Sequence, residues 1–238
     1  MKLKLLSVLC IIFGLTAQSQ GVTDDGILNQ QVKTASEFYY NTLGPQADIY
    51  YGRDYTPYLF KMEGTPFFMV NELQDGWVSY KGHVYNGIRL QFDVQRNQIV
   101  ILNKFNSTRS YLENKYVDSF QVANHTFVKL QEDRKVNLYT SGFFEVLYRG
   151  PATLVTLRKK EIREVIKDNV LIRIFDPKDA YFIFKSGKYY AVENRNDVVR
   201  VLGDKVEKKM RDQDVRFRRD NFELALFIAV QVYDQLSN

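Results

Sequence analysis

The stretch Trp77-Val78-Ser79-Tyr80-Lys81-Gly82-His83-Val84-Tyr85-Asn86-Gly87-Ile88-Arg89-Leu90-Gln91-Phe92-Asp93-Val94 decides the fold. Two aromatic and β-branched runs flank Lys81-Gly82, the composition of a two-residue hairpin connection. Asn86-Gly87 supplies a second left-handed position, a turn or a bulge. From Ile88 onward the chain alternates. Ile88, Leu90, Phe92 and Val94 share one face, and Arg89, Gln91 and Asp93 share the other. A period of two belongs to a strand with one apolar face. Gln95-Arg96-Asn97 turns the chain, and residues 98–105 return as the next strand.

The same grammar extends in both directions. Pro57 and Pro66 divide the aromatic stretch that starts at Asp48 into short extended pieces. Residues 120–130 form a further strand region. Residues 135–139 and 143–148 read as one strand bent at Ser141-Gly142, and 152–158 return after Arg149-Gly150-Pro151. Tyr181-Phe182-Ile183-Phe184 and Lys188-Tyr189-Tyr190-Ala191-Val192 flank Lys185-Ser186-Gly187, a second strong hairpin.

After Glu193 the period changes. Asn196-Asp197 can cap a short helix through Leu202, with Gly203 at its left-handed end. Asp204 with Glu207 opens a second helix to about Asp212. Asp220 with Glu223 opens a third over 221–236, where Phe222, Ala225, Leu226, Ala229, Val230 and Tyr233 form one apolar stripe. Residues 221–238 hold no Lys or Arg, so this helix reads as packed on the sheet rather than lying on a lipid surface. The expected fold class is α+β: an antiparallel sheet or partly closed barrel followed by a C-terminal helical cap.

The N-terminus reads as an address. Lys2 and Lys4 precede an apolar run from Leu5 to Leu15, then Thr16-Ala17-Gln18-Ser19-Gln20. This is the three-part pattern of a secretory signal peptide, and the apolar run falls short of the ~20 residues a membrane-spanning helix needs. Ala17 and Ser19 place cleavage before Gln20; Leu15 and Ala17 would place it before Gln18. Leu9 stands where a lipoprotein signal needs a small residue before Cys10. The expected organisation is a signal peptide (1–19), a partly disordered lead-in (20–47), an antiparallel β region (48–192) and a helical region packed on it (193–238). Within the lead-in, 37–43 reads as a strand or a helical turn.

Val78-Ser79-Tyr80-Lys81-Gly82-His83-Val84-Tyr85, Leu90-Gln91-Phe92-Asp93, Gly142-Phe143-Phe144-Glu145-Val146-Leu147-Tyr148-Arg149-Gly150 and Lys188-Tyr189-Tyr190-Ala191-Val192 carry a resemblance. With the capped helices that follow, they resemble uncharacterised exported proteins of Gram-negative bacteria of the Bacteroidetes type. The likeness covers most of the mature chain. It implies export and this order of elements, and it assigns no activity and no site residue.

Composition narrows the chemistry. The chain has 238 residues, 45% hydrophobic and 26% charged, room for one or two domains. Sixteen Tyr and seventeen Phe against four Met favour strands. Two His and one Cys, the latter inside the leader, leave little for metal binding or nucleophilic catalysis. No Gly-x-Ser-x-Gly elbow or Gly-rich phosphate loop occurs, so neither a cofactor nor a metal is expected. Without Lys2 and Lys4, the leader's only charged residues, the formal charge falls from +5 to +3. That excess does not make a nucleic-acid binder, and no transmembrane helix is expected in the mature chain.

Carboxylates are the remaining catalytic candidates. Asp93, Asp118, Glu145, Asp176 and Asp179 lie in or beside strands, and a glycosidase needs only two acids at a defined separation. The aromatic supply points instead to binding. Tyr50, Tyr51, Tyr55, Tyr58, Trp77, Tyr80 and Tyr85 are candidates for a face that stacks on sugar rings or meets another protein. The function expected from sequence is a non-catalytic module of the periplasm, outer-membrane periphery or extracellular space that binds an envelope protein or a glycan. The alternatives are a carboxylate-based hydrolase and a structural component of an envelope assembly.

Overall fold

The computed structural model describes residues 48–60 and 62–237, together with Gln30, Gln31, Thr34, Ala35, Phe38 and Thr42, which are helical. The leader with Cys10 and most of the lead-in lie outside the described residues; within 37–43, Phe38 and Thr42 are helical.

Thirteen strands are described: β1 (Arg53–Asp54), β2 (Gln74–Tyr80), β3 (His83–Asp93), β4 (Gln98–Leu102), β5 (Arg109–Tyr111), β6 (Val117–Val122), β7 (His125–Leu130), β8 (Gly142–Tyr148), β9 (Thr153–Leu157), β10 (Lys160–Lys167), β11 (Val170–Pro177), β12 (Ala180–Lys185) and β13 (Lys188–Val192). Three helices follow: α1 (Arg195–Leu202), α2 (Asp204–Asp212) and α3 (Phe222–Ser237). Eleven strands form one antiparallel sheet in the order β1-β5-β4-β3-β2-β6-β7-β8-β9-β12-β13, and β10 and β11 pair with each other. After the short edge strand β1 the chain enters the middle at β2, runs outward through β3, β4 and β5 to meet β1, then returns to β2 with β6 and runs outward the other way.

Two-residue turns set this meander. Lys81-Gly82, Ala123-Asn124, Asp168-Asn169 and Ser186-Gly187 all have both central residues left-handed, with φ from 49° to 79°. That geometry matches the right-handed twist of the strands it joins. Gly87, at φ 63°, is the extra residue of a bulge, since Gly76 pairs with Ile88 while Trp77 pairs with Asn86.

The sheet is curled but open. Phe92 on β3 and Phe143 on β8 are four strands apart, about 19 Å in a flat sheet, yet their ring centroids lie 6.0 Å apart. Phe120 and Phe127 stack within the same core at 4.8 Å. The edge strands β1 and β13 do not pair with each other, so the sheet does not close into a barrel. Fold class is therefore α+β with an open antiparallel sheet and a C-terminal helical segment.

The alternation from Ile88 to Val94 holds for its apolar set, which is buried. Its other face is not all solvated: Gln91 and Asp93 are buried as well. Beyond the start of β2, residues 66–68 take the vacant edge of β3, with the Phe68 N–H on Phe92 O and the Val94 N–H on Pro66 O. Gln91 donates to the Asn71 carbonyl at 2.5 Å. Residues 135–139 do not extend β8. A 3-10 turn occupies Arg134–Val136, capped by Asp133 and closed by left-handed Asn137. The α1 cap is Asn194, whose Oδ1 accepts the N–H groups of Asn196 and Asp197.

The strands β10 and β11 were not expected from the sequence. Leu157 pairs with Ala180 in the sheet, and Lys160 pairs with Pro177 outside it. The register count is the same on both sides of residues 158–159. The strands β9–β10 and β11–β12 are thus one long ribbon, the inner half built into the sheet. The outer half leaves it as an arm of eight residue pairs, roughly 27 Å long.

The helices cover the sheet around β8, β9 and β12. Ala225, Leu226, Ala229 and Val230 of α3 are fully buried, packing with Leu154, Ile183 and Val192. Asp234 is buried too, and its Oδ1 accepts the Ala152 N–H at 3.1 Å. The other Asp234 oxygen lies where a side chain on Gly150 would have to go, so glycine is required there for close approach. Among the described residues no helix is long and apolar enough to cross a membrane.

Candidate functional site

Period-two geometry gathers a set of charged residues on the helix-covered face of the sheet. Glu145, Thr156 and Tyr181 lie side by side across β8, β9 and β12. Arg158 stands two residues beyond Thr156, and the continued register sets it opposite Asp179. Residues two apart on a strand share a face, so Arg158 reaches Glu145 and Asp179 diagonally and directly. The first turn of α3 brings Glu223 down on the same point.

Arg158 is the centre. Its Nε donates to Glu145 Oε2 at 2.5 Å, and its Nη1 reaches Asp179 Oδ2 at 2.7 Å. Nη1 and Nη2 also donate to the two oxygens of Glu223 at 2.6 and 3.1 Å. The other Glu145 oxygen meets His125 Nδ1 at 2.5 Å, and the Tyr181 hydroxyl donates to Glu223 at 3.0 Å. Phe68 closes one side, its ring 5.0 Å from that of His125 and 5.8 Å from the Arg158 guanidinium.

The electrostatics follow from burial. The Glu145 side chain is 2% exposed and that of Arg158 is 12% exposed. A buried carboxylate is costly unless paired and hydrogen-bonded, and here both of its oxygens are taken. Burial works against the Arg158 charge, but Glu223, Glu145 and Asp179 outweigh it and push its pKa up. Burial likewise opposes the Glu223 charge, while Arg158 and Tyr181 hold its carboxyl below the ordinary value. Burial and the adjacent Glu223 push the Tyr181 hydroxyl up. Three carboxylates share one guanidinium. This arrangement fixes the four side chains relative to one another.

A cleft of about 810 Å³ opens beside this centre, between the start of α1 and the 217–224 segment that leads into α3. Tyr181 and Glu223 line it and connect it to Arg158. Its volume lies within the range of small-molecule sites.

The sequence-named acids are separated. Glu145 and Asp179 meet at Arg158. Asp93 is in a different place, fully buried, accepting the Tyr58 hydroxyl at 2.9 Å and the Arg96 N–H at 2.9 Å. Burial pushes its carboxyl up despite these bonds. Asp118 faces Ser79 at 3.3 Å. Asp176 sits on the arm between Arg163 and Lys178. Among the described residues no group of three or more His, Cys, Asp or Glu side chains is placed to hold a metal ion.

The aromatic candidates are distributed as follows. Tyr80 and Tyr85 are buried in the core. Tyr50 packs edge-on against Phe105, and Tyr55 against Phe67 and Tyr111. Tyr58 lies under the Arg96 guanidinium at 3.9 Å, and Trp77 is half-buried in β2. Tyr51 is the one exposed member of the seven. Arg158, Glu223 and Tyr181 were not among the residues the sequence singled out as a site. No local pattern holds that information, because the contacts join β8, β9, β12 and α3. No family model, no curated protein and no solved structure matches this chain.

Proposed function

We propose that the protein is an exported, non-catalytic binding module for an envelope protein or a glycan, and that its ligand enters the cleft between α1 and α3. The observation that carries this reading is the cleft's anchored wall. Glu223 is clamped by a two-point bond to Arg158 and by Tyr181, so the start of α3 is held before any ligand arrives. Preorganised walls lower the ordering cost of binding.

The hydrolase alternative needs one carboxyl group to carry a proton. Asp179 and Glu223 are brought together by the same Arg158 nitrogen, and the Glu223 carboxyl is held below its ordinary value there. Export remains part of the proposal on the strength of the leader. Mass spectrometry of the protein recovered from cells should find a chain starting at Gln20 or Gln18, and an intact Met1 chain in the envelope would refute export by cleavage.

The binding reading is tested with a photo-crosslinking side chain at Leu224, an exposed residue lining the cleft, in the expressing cell. Discrete adducts are expected there and not at Tyr139, which is equally exposed but remote in sequence and outside the cleft lining. Equal labelling at both positions, or none at Leu224, refutes the site.

A further inference from the structure

Resting on that reading, we propose that the cleft takes an uncharged saccharide. Its apolar wall is a row of three rings. Tyr181 and Phe222 meet edge to face at 5.6 Å, and Phe222 and Phe217 follow at 6.0 Å. All three are half-buried, so each keeps ring surface for a ligand while being fixed from behind.

The polar lining is balanced in sign. Arg218 and Arg219 offer guanidinium donors, and Glu193 and Asp220 offer carboxylate acceptors. All four are exposed, and none makes an ion pair among the described residues. Their charges cancel, and the two remaining charged lining residues, Arg195 and Glu223, are also opposite in sign. An anionic ligand would gain from Arg218 and Arg219 but meet Glu193 and Asp220. A cationic ligand would meet the reverse. A sugar hydroxyl both donates and accepts, so it can satisfy either kind of group. Guanidinium and carboxylate each present two parallel bonding points, and two neighbouring hydroxyls on a ring present the same pattern. The apolar face of such a ring can lie against Tyr181, Phe222 or Phe217.

Isothermal titration of the full mature chain with neutral polysaccharide fragments (from β-glucan, xylan and mannan) and with acidic polymers (polygalacturonate and polyglutamate) tests the assignment. At least one neutral fragment should bind, with affinity little changed between about 0.05 and about 0.5 M salt. Arg218→Ala and Asp220→Ala should each weaken that binding about tenfold, the loss of one charge-assisted hydrogen bond. Thermal midpoints should stay within a few degrees of the wild-type value, since both side chains are exposed and an acid just before a helix contributes at most about 1 kcal/mol. Binding confined to acidic polymers and falling with salt overturns the saccharide assignment and leaves the binding module standing. Binding strengthened by Asp220→Ala, or no binding by any neutral fragment, overturns it as well. Saccharide binding that ignores both cleft variants, or release of reducing ends from the fragments, overturns the binding-module reading itself.

Discussion

Replacing Arg158 by Met removes the one cation among three carboxylates and keeps most of the side-chain volume. The structure indicates how large the effect should be. Glu145 is 2% exposed and would keep only His125 as partner, while Asp179 and Glu223 would face each other without their shared guanidinium. Breaking a buried ion pair from one side typically costs about 3–5 kcal/mol, because the remaining charge is left desolvated. For a folded unit of this size that is a fall in thermal midpoint of roughly 10 °C. The assay is urea denaturation at pH 7, repeated for Glu145→Gln and for the double variant. The charge left behind is the source of the cost, so Glu145→Gln should recover part of the loss in the Arg158→Met background while destabilising the wild type. The gap between wild type and Arg158→Met should also narrow in acid, where the stranded carboxylates take up protons. A cost below about 1 kcal/mol, or strict additivity in the double variant, would show that Arg158 is a surface residue in effect and that the reasoning is wrong.

Other perturbations test neighbouring parts. Glu223 has a pKa held below its unfolded value of 4.5, so it contributes stability above that pH and loses the contribution as pH falls through the folded pKa. Glu223→Gln should therefore be less stable than wild type at pH 7 and converge with it in acid; a constant difference across this range would refute the linkage. Leu226→Asp places a charge at a fully buried site on α3, and loss of soluble protein or a midpoint lower by several degrees is expected. Unchanged stability with a lost partner would make α3 an interaction surface instead. Gly150→Ala drives a methyl group into the Asp234 carboxylate and the Tyr148 ring, for a cost of about 1–3 kcal/mol by denaturation. Shortening the obstacle with Asp234→Ala should relieve part of it, and no relief would place the strain elsewhere.

The parts of the fold readable in the sequence are those whose information is local. Lys81-Gly82 and Ser186-Gly187 announce left-handed turns by composition, and Asp204 with Glu207 announces the start of α2. The apolar set Ile88, Leu90, Phe92 and Val94 announces its own burial. Asp168-Asn169 is the same kind of turn signal between β10 and β11, but β10 carries five charged residues out of eight and no period-two pattern to mark it as a strand. The burial of Gln91 and Asp93 was not readable, because it depends on residues 65–71 crossing the far side of β3. The Arg158 centre was out of reach for the same reason. Glu145 and Asp179 were among the acids considered, but their meeting depends on strand order, and Glu223 arrives from a helix 65 positions beyond Arg158.

The unbroken register between the inner and outer halves of the ribbon makes the arm a part of adjustable length. Removing or adding the same even number of residues in β10 and β11 would leave Arg158 opposite Asp179 and every inward side chain on its original face. Each added pair moves the tip outward by about 3.4 Å. An odd change in one strand alone would slide that strand against its partner, turning Leu154 or Ile183 away from the helices. Changed on the tip side of Ile174, where Glu63 docks on β11, the distance from the sheet to the apolar tip at Ile166, Val170 and Leu171 can thus be set in small steps, like the reach of a telescoping rod.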